Sequence, residues 1–455
     1  MGEVTMEKIV QLCKTRGFVF PGSEIYGGMA NSWDYGPLGA QLRRNIKNDW
    51  WKRAVEARVD VVGLDGSILT NPRVLESSGH LAKFDDPMVE DLVTHKRYRA
   101  DHLIEPVVGG SLDGKTPVEL TALIAEHGIK SPDGNKLGEV KSFNLLFETG
   151  RGKTEETKST VYLRPETAQA IFPNFRNVLE STRKRLPFGI AQIGKAFRNE
   201  ITPGNFIFRT LEFEQMEIEY FCEADEWEVH FEKWRVWMTD WAKSIGLAMD
   251  RFHEEEIDEE SRAFYSERTI DFEFDFPFGK KELWGLAYRT DHDLKSHQEG
   301  SGQKLEYTDP NDQSRKFLPH VIEPSQGVDR TLLALLVSAY TEEEVNESTR
   351  VVMKFKPQIA PYHIAVLPLQ RKDELTNKAQ EVRDQLLSQF RVDYDVTQSI
   401  GKRYRRQDEI GTLFCVTIDF ESLEDGQVTV RDRDTMEQER IAITHLDDYF
   451  RQKLV

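Results

Sequence analysis

Arg198 and Glu200 stand two positions apart at the end of an alternating run, which places a cation and a carboxylate on one face of extended chain. Such a pair suits a nucleotide, with guanidinium to phosphate and carboxylate to an exocyclic amine. The run before them, residues 188–197, reads as a strand. A second run opens at Arg209 and alternates through Phe221. Residues 201–208 lie between the two and contain a Pro-Gly pair, so the two runs predict an antiparallel hairpin. A further arginine, Arg330, follows Gly327-Val328-Asp329 at the mouth of an apolar helix predicted over residues 329–340. A helix N-terminus favours anions, and a glycine lets backbone approach a ligand closely. Together these residues predict two guanidinium groups aimed at one triphosphate. Residues 150–154, Gly-Arg-Gly-Lys-Thr, imitate a phosphate loop, but that pattern needs glycine where Phe147 stands and a helix after it, so the segment is set aside.

These residues need a rigid frame. Residues 37–58 predict a long helix with Pro37 in its first turn, and Leu38, Leu42, Ile46, Trp50 and Ala54 form its apolar stripe. Core packing is the first reading of that stripe. A subunit interface is the second, because Trp51 and Val55 widen it. Residues 59–63 and 67–72 read as extended chain stopped by Pro72. Residues of about 85–160 lose apolar periodicity, carry loop residues over 109–117 and 131–135, and predict an insertion with one short helix over 117–127. Alternation returns from Val161. A helix is predicted over 227–245, strands over 269–276 and 284–289, and extended chain over 319–327. After Lys356-Pro357 the texture changes. Strands at 363–369, 392–396, 414–420 and 428–430, with a helix stripe Leu375, Ala379, Val382, Leu386 and Phe390, predict a compact α/β domain.

Composition sets the outer bounds. A chain of 455 residues with 39% hydrophobic and 30% charged residues fits a globular protein of two or three domains. No apolar run is long enough to span a bilayer, and residues 1–6 lack the pattern of a secretory signal, so no membrane association and a cytoplasmic location are expected. Cys13, Cys222 and Cys415 are too scattered for a disulfide framework or a cysteine zinc site. A net charge of −18 disfavours non-specific nucleic-acid binding while leaving room for a local basic patch.

The chain resembles the class II aminoacyl-tRNA synthetases and, more narrowly, the homodimeric type of glycyl-tRNA synthetase along nearly its whole length. The resemblance rests on residues 33–39 (WDYGPLG), 98–101 (YRAD), 163–168 (LRPETA), 197–206 (FRNEITPGNF) and 212–217 (EFEQME). Residues 289–291 (RTD), 323–330 (EPSQGVDR) and 401–406 (GKRYRR) complete it. The helix ending near Pro72 is similar to the family's first signature, the hairpin to its second, and residues 327–330 to its third. The resemblance implies an α+β fold: a class II antiparallel sheet flanked by helices over residues 1–350, with the insertion at about 85–160, then an α/β anticodon-binding domain over 357–455. It also implies ATP-dependent attachment of glycine to tRNA(Gly) through a glycyl-adenylate, in a homodimer.

By the same resemblance, Arg198 would hold the α-phosphate, Glu200 would face the adenine amine, and Phe213 and Arg330 would sandwich the base. Arg330 or Arg209 would reach the γ-phosphate. Asn199, Phe208, Thr210, Leu211, Glu212, Leu283 and Gly327 complete the implied ATP site. Arg198, Glu282 and Arg330 are the implied catalytic residues, with Glu282 as ligand of the Mg²⁺ that accompanies ATP. Glycine would be held by Glu166, Glu323 and Ser325, with Arg99 and Arg289 as substrate-contacting arginines. Phe213, Glu214, Gln215, Met216, Glu217 and Gly327 belong to the same implied pocket. Glu214 and Glu217 fall on opposite faces of a strand, so Glu212, Glu214, Glu217 and Glu219 cannot all line one pocket. Lys402, Arg403, Arg405 and Arg406, around Tyr404, suit unstacked RNA bases. Leu413 stands where relatives commonly carry proline. Residues 91–96 lack the cysteines many relatives carry there, so no structural zinc is expected. A synthetase for threonine, proline or histidine, or a non-catalytic accessory subunit, is the alternative to a glycine enzyme.

Overall fold

The computed structural model describes residues 4–109, 112, 115–152, 159–200, 204–259, 262–263, 265–345 and 347–454. Ile201, Thr202 and Pro203 of the expected Pro-Gly loop lie outside the described residues. So do Lys153 and Thr154 of the set-aside glycine segment, and Gly110, Ser111, Asp113 and Gly114 of the loop expected over 109–117.

A seven-stranded sheet organises the N-terminal part. Its strands are β1 (Val61–Gly63), β2 (Phe188–Phe197), β3 (Glu212–Cys222), β4 (Phe252–Glu256), β5 (Arg268–Phe276), β6 (Gly279–Thr290) and β7 (His320–Gly327), in the order β4-β5-β6-β7-β3-β2-β1. Every pairing is antiparallel except β1 with β2. The predicted hairpin is β2 with β3, in register from Phe188 opposite Phe221 to Phe197 opposite Glu212. Helices α1 (Pro37–Trp51), α2 (Trp227–Ile245), α3 (His292–Ser301) and α4 (Val328–Ala339) flank the sheet.

The stripe Leu38, Leu42, Ile46, Trp50 and Ala54 is buried, so the core reading holds for it. The Trp50 indole also donates to Gln326 Oε1 on β7, at 3.0 Å. The helix does not run to Arg58 as one α-helix: residues 52–56 widen into a π-helical turn. Nor does a helix end near Pro72. Asn71 caps, and Pro72 opens, a short helix over Pro72–Ser77, where the missing proline N–H is no loss.

The insertion is richer than its sequence pattern. It holds two helices, Ala100–Val108 and Pro117–Glu126, and a three-stranded sheet of Asp85–Glu90, Arg97–Arg99 and Lys141–Asn144. Val89, Ile104, Leu120, Ile124, Leu137 and Val140 form its own apolar cluster. Proline within Ala100–Val108 hid that helix from a periodicity reading.

The C-terminal part is a five-stranded sheet in the order Val392–Tyr394, Ile364–Pro368, Phe414–Ile418, Gln427–Asp432, Gln438–Ala442. Its first three strands are parallel, and helices Asp373–Leu387 and α5 (Ile400–Ile410) are among those that pack on it. Its core side chains belong to the same apolar cluster as those of the large sheet. No helix among the described residues is long and apolar enough to cross a membrane.

Candidate active site

A cleft of about 390 Å³ opens on one face of the large sheet. Alternation along the strands chooses its lining: Phe213, Gln215 and Glu217 from β3, Glu323, Ser325 and Gly327 from β7, and Gly285 and Ala287 from β6. Small residues leave the floor low. A Cβ at Gly327 would meet nothing nearer than Arg330, at 3.8 Å, and one at Gly285 would meet nothing within 4 Å.

Arg198 and Arg330 both line this cleft, as do Glu200, Phe208, Arg209, Thr210, Glu282 and Leu283. Arg198 and Glu200 stand just past the end of β2, so their common side comes from the connection and not from strand pleating. Arg198 N donates to Leu211 O (3.0 Å) across the hairpin mouth, and the Arg198 guanidinium donates to Pro165 O (3.1 Å). Its carbon lies 5.4 Å from the Phe213 ring centre. Arg330 stacks on Phe208, at 4.4 Å, while Phe213 lines the same cleft. Arg330 also donates to the Glu282 carboxylate at 3.0 Å. Arg209 lies 3.8 Å from the Glu200 carboxylate.

The start of α4, which carries Arg330, is locked from behind. Asp329 accepts from Glu214 N (2.8 Å) and from Tyr35, and lies 3.3 Å from Arg43. Burial raises the Tyr35 hydroxyl well above its usual pKa, and Asp329 adds to that rise, so this hydroxyl stays a donor.

Glu282 is half exposed at the cleft mouth. Partial desolvation raises its carboxyl pKa, but the Arg330, Arg198 and Arg209 guanidinium groups outweigh this and hold it below the ordinary value. Asp271, on the adjacent strand, is pushed up to about 7 by burial and by the charges of Glu282 and Glu273. Two oxygen donors at a cleft that also receives arginines fit a hard cation carried in with phosphate.

The inner end of the cleft is acidic and buried. Arg289 is 2% exposed. It donates to both oxygens of Asp293 (2.7 and 2.8 Å), also pairs with Glu323, and lies 3.8 Å over the Tyr265 ring. Ser325 Oγ donates to Glu217 at 2.8 Å, and Thr167 donates to the same carboxylate. Glu166 accepts from Gln169 at 3.0 Å and lies 3.4 Å from His80. The carboxyl groups diverge. Burial raises Glu166, yet His80 and Arg289 bring it well below the usual range. Burial raises Glu323 to about 8 despite the Arg289 contact, because Glu217, Glu166 and Asp293 face it. Burial and Glu166 raise Glu217 too. Carboxyls held below and above their ordinary pKa thus surround one buried arginine.

Several expected residues lie elsewhere. Glu214 points to the opposite face of β3 and pairs with Arg43 (2.7 Å) and Lys47 (2.9 Å). Met216 shares that face and is buried in the core. Glu212 is exposed and bonded to Lys195. Asn199 N is bound to Leu145 O, and Leu211 uses its backbone to hold Arg198 N. Arg99 belongs to the insertion and pairs with Asp86 (3.1 Å) and Asp101. None of these lines the cleft. Arg403 is 2% exposed and spends its guanidinium on the carbonyls of Pro368, Leu369 and Asp395, so it is a structural residue of the C-terminal sheet. Tyr404 is likewise engaged, with Thr417 at 2.6 Å. Lys402, Arg405 and Arg406 remain on a surface hollow with Arg16. His80, Thr167, Asp271 and Asp293 were not foreseen. Only Asp293 left a signal, four residues after Arg289 at the start of a helix. Among the described residues the three cysteines are free and buried.

Comparisons with known proteins agree with this geometry. Residues 147–339 match the model of the tRNA synthetase class II core domain (G, H, P, S and T), and residues 363–453 that of the anticodon binding domain. The chain is 52% identical over 459 residues to the glycine–tRNA ligase of Geobacillus kaustophilus, covering 99% of each chain. It is 52% identical over 467 residues to that of Agathobacter rectalis and 50% identical over 457 residues to that of Bacillus anthracis, again covering 99% of each.

Proposed function

The chain belongs to the glycine–tRNA ligase family, and from that premise we propose how its cleft divides the work of attaching glycine to tRNA(Gly) with ATP. The observation that carries the reading is the convergence of Arg198 and Arg330 on one cleft whose inner end is the acidic pocket around Arg289. ATP lies between the arginines, with its α-phosphate at Arg198, its far phosphates toward Arg330 and Arg209, and its adenine amine at Glu200. Phe208 lies against the Arg330 guanidinium, and Phe84 and Phe213 against that of Arg198. Glu282, with Asp271 beside it, would hold Mg²⁺, which when bound neutralises phosphate charge. Arg330 then exchanges its Glu282 partner for phosphate.

Glycine enters with its ammonium toward Glu166, Glu217 and Glu323, and Ser325 holds the Glu217 carboxylate in place. Its carboxylate attacks the α-phosphorus, the bond to the bridging oxygen breaks, and pyrophosphate leaves with that electron pair. A ribose hydroxyl at the tRNA 3′ end then attacks the adenylate carbonyl and AMP leaves. Two anions meet in the first step, so these side chains act by position and charge. An added methyl in a packed pocket costs about 1–3 kcal/mol, which is the discrimination available against alanine.

Residues 1–350 are read as the catalytic domain and 357–455 as the anticodon-binding domain, with Lys402, Arg405 and Arg406 facing RNA. We further read the protein as a cytoplasmic homodimer. An ATP–pyrophosphate exchange panel across the amino acids tests the specificity: exchange with glycine supports it, and exchange with threonine, proline or histidine but not glycine defeats it.

A further inference from the structure

Along the cleft face, β3 presents Phe213, Gln215, Glu217, Glu219 and Phe221 in turn. Phe213 is at the cleft. Phe221 is in an apolar cluster, with its ring centre 4.5 Å from that of Phe175 and 5.5 Å from that of Phe188. Glu219 is the last polar residue before that cluster. It is fully buried, and neither carboxyl oxygen has a hydrogen-bond partner among the described residues. On the neighbouring strand β7, Ser325 opposes Glu217 and Ile322 opposes Tyr220, and the same register sets Glu323 opposite Glu219. Oxygens of Glu217, Glu219 and Glu323 lie within 4.8 Å of one another.

Burial without a hydrogen-bond partner disfavours an ionised Glu219, and the like charges of Glu323, Glu217 and Asp293 are only partly offset by Arg289. Arg289 on β6 gives N–H groups to Asp293 and Glu323. A carboxyl group so placed keeps a proton, and its O–H needs an acceptor. The Glu323 carboxyl across the strand pair, with an oxygen within 4.8 Å, is one that a small side-chain turn would bring into hydrogen-bond reach.

Resting on the reading of this pocket as the ammonium site, we propose that Glu219 is a positioning residue that shares one proton with Glu323, and that the ammonium group of glycine displaces that proton on binding. Without substrate the shared O–H aims the Glu323 carboxylate. An arriving ammonium donates its own N–H in place of that O–H, and the proton leaves to solvent. No other bond forms or breaks. The groups facing Glu219 are Glu217 on its own strand, Glu323 on β7, Arg289 on β6 and Asp293 on α3, with Glu166 and His80 further out. Burial and the Glu323 charge raise the Glu219 carboxyl well above the ordinary range. Glu323, raised to about 8, sets the window.

The sign follows from linkage. Ammonium prefers the ionised pair, so glycine binding releases protons and tightens as pH rises through the window. The experiment is glycine titration calorimetry in phosphate and in Tris, joined to the glycine KM from ATP–pyrophosphate exchange. For the wild type, buffer-dependent heats should report proton release, and KM should fall roughly threefold or more between about pH 6.5 and about pH 8.5. Glu219→Gln keeps a neutral donor that cannot titrate while Glu323 still can, so its KM should fall less steeply over that range than the wild type's, and its buffer-dependent heats should report fewer protons released. The glycine ammonium titrates alike in both proteins, so the difference isolates Glu219. Glu219→Leu should raise the glycine KM about tenfold and leave the ATP KM within about twofold. An equal pH slope in wild type and Glu219→Gln overturns the proposal, as do wild-type heats that ignore the buffer. If Glu219→Leu does not fold, by circular dichroism, the glutamine comparison still decides. A wild type that exchanges with no glycine defeats the ligase reading itself, a distinct outcome.

Discussion

At the scale of single residues, the cleft is governed by which charges lose water and which keep a partner. Arg198 holds the hairpin mouth through its backbone and leaves its guanidinium at the cleft. Arg198→Ala should therefore cut ATP–pyrophosphate exchange by about 10²–10³-fold, with an unchanged circular dichroism spectrum. Retention of wild-type exchange would remove Arg198 from its assigned role. Asp271 makes a pH prediction. Its folded pKa is raised to about 7 by burial, Glu282 and Glu273. A raised carboxyl binds more protons folded than unfolded, so its contribution to stability is present below the unfolded value near 4 and is lost as pH rises toward 7. In the free protein, Asp271→Asn should melt higher than wild type at pH 8, with the gap closing toward pH 4; thermal melts across that range check it. The opposite faces of Glu214 and Glu217 were legible from pleating alone. The choice of the cleft face was not, because Arg43 and Lys47, distant in the chain, claim Glu214.

Elements set how finely those residues are placed. The hairpin was readable because both of its strands alternate and a Pro-Gly pair separates them. Helix α1 was readable from a stripe that recurs every four residues. Its docking depends on Gly39, where a Cβ would overlap the Phe18 carbonyl oxygen. Gly39→Ala must shift backbone against backbone, so it should destabilise by about 1–3 kcal/mol or more, measured by urea unfolding. An unaffected midpoint would mean that the Phe18 segment yields freely. Helix α5 was read as an RNA-facing run of cations, and geometry divides it. Arg403 turns inward to three carbonyls while Lys402, Arg405 and Arg406 stay at the surface. The double variant Lys402→Ala/Arg405→Ala should weaken tRNA(Gly) charging about tenfold, through a higher tRNA KM, and spare glycine-dependent exchange. Equal loss in both assays would refute an RNA role for that surface.

At the scale of the whole molecule, buried charge fastens the C-terminal sheet to the strand pair Tyr340–Val345 and Ser348–Met353 that follows α4. Asp408 on α5 is 1% exposed and binds Arg350 (2.8 Å), on the strand Ser348–Met353, and Arg431 (2.9 Å) in the C-terminal sheet. Asp408→Ala would leave two buried guanidinium groups facing each other, costing about 3–5 kcal/mol, seen as an earlier unfolding transition. A transition at the wild-type position would show that the join does not depend on this carboxylate. The sequence by itself determined the hairpin, most strands of the large sheet, the arginine pair and the family resemblance, because periodicity, turn residues and short motifs are local properties of the chain. Tertiary structure alone decided that Arg330 stacks on Phe208, that Glu214 and Arg403 serve the scaffold, and that buried Glu219 lies within 4.8 Å of Glu323. Each of those outcomes turns on contacts between segments far apart in the chain, and on the water those contacts exclude.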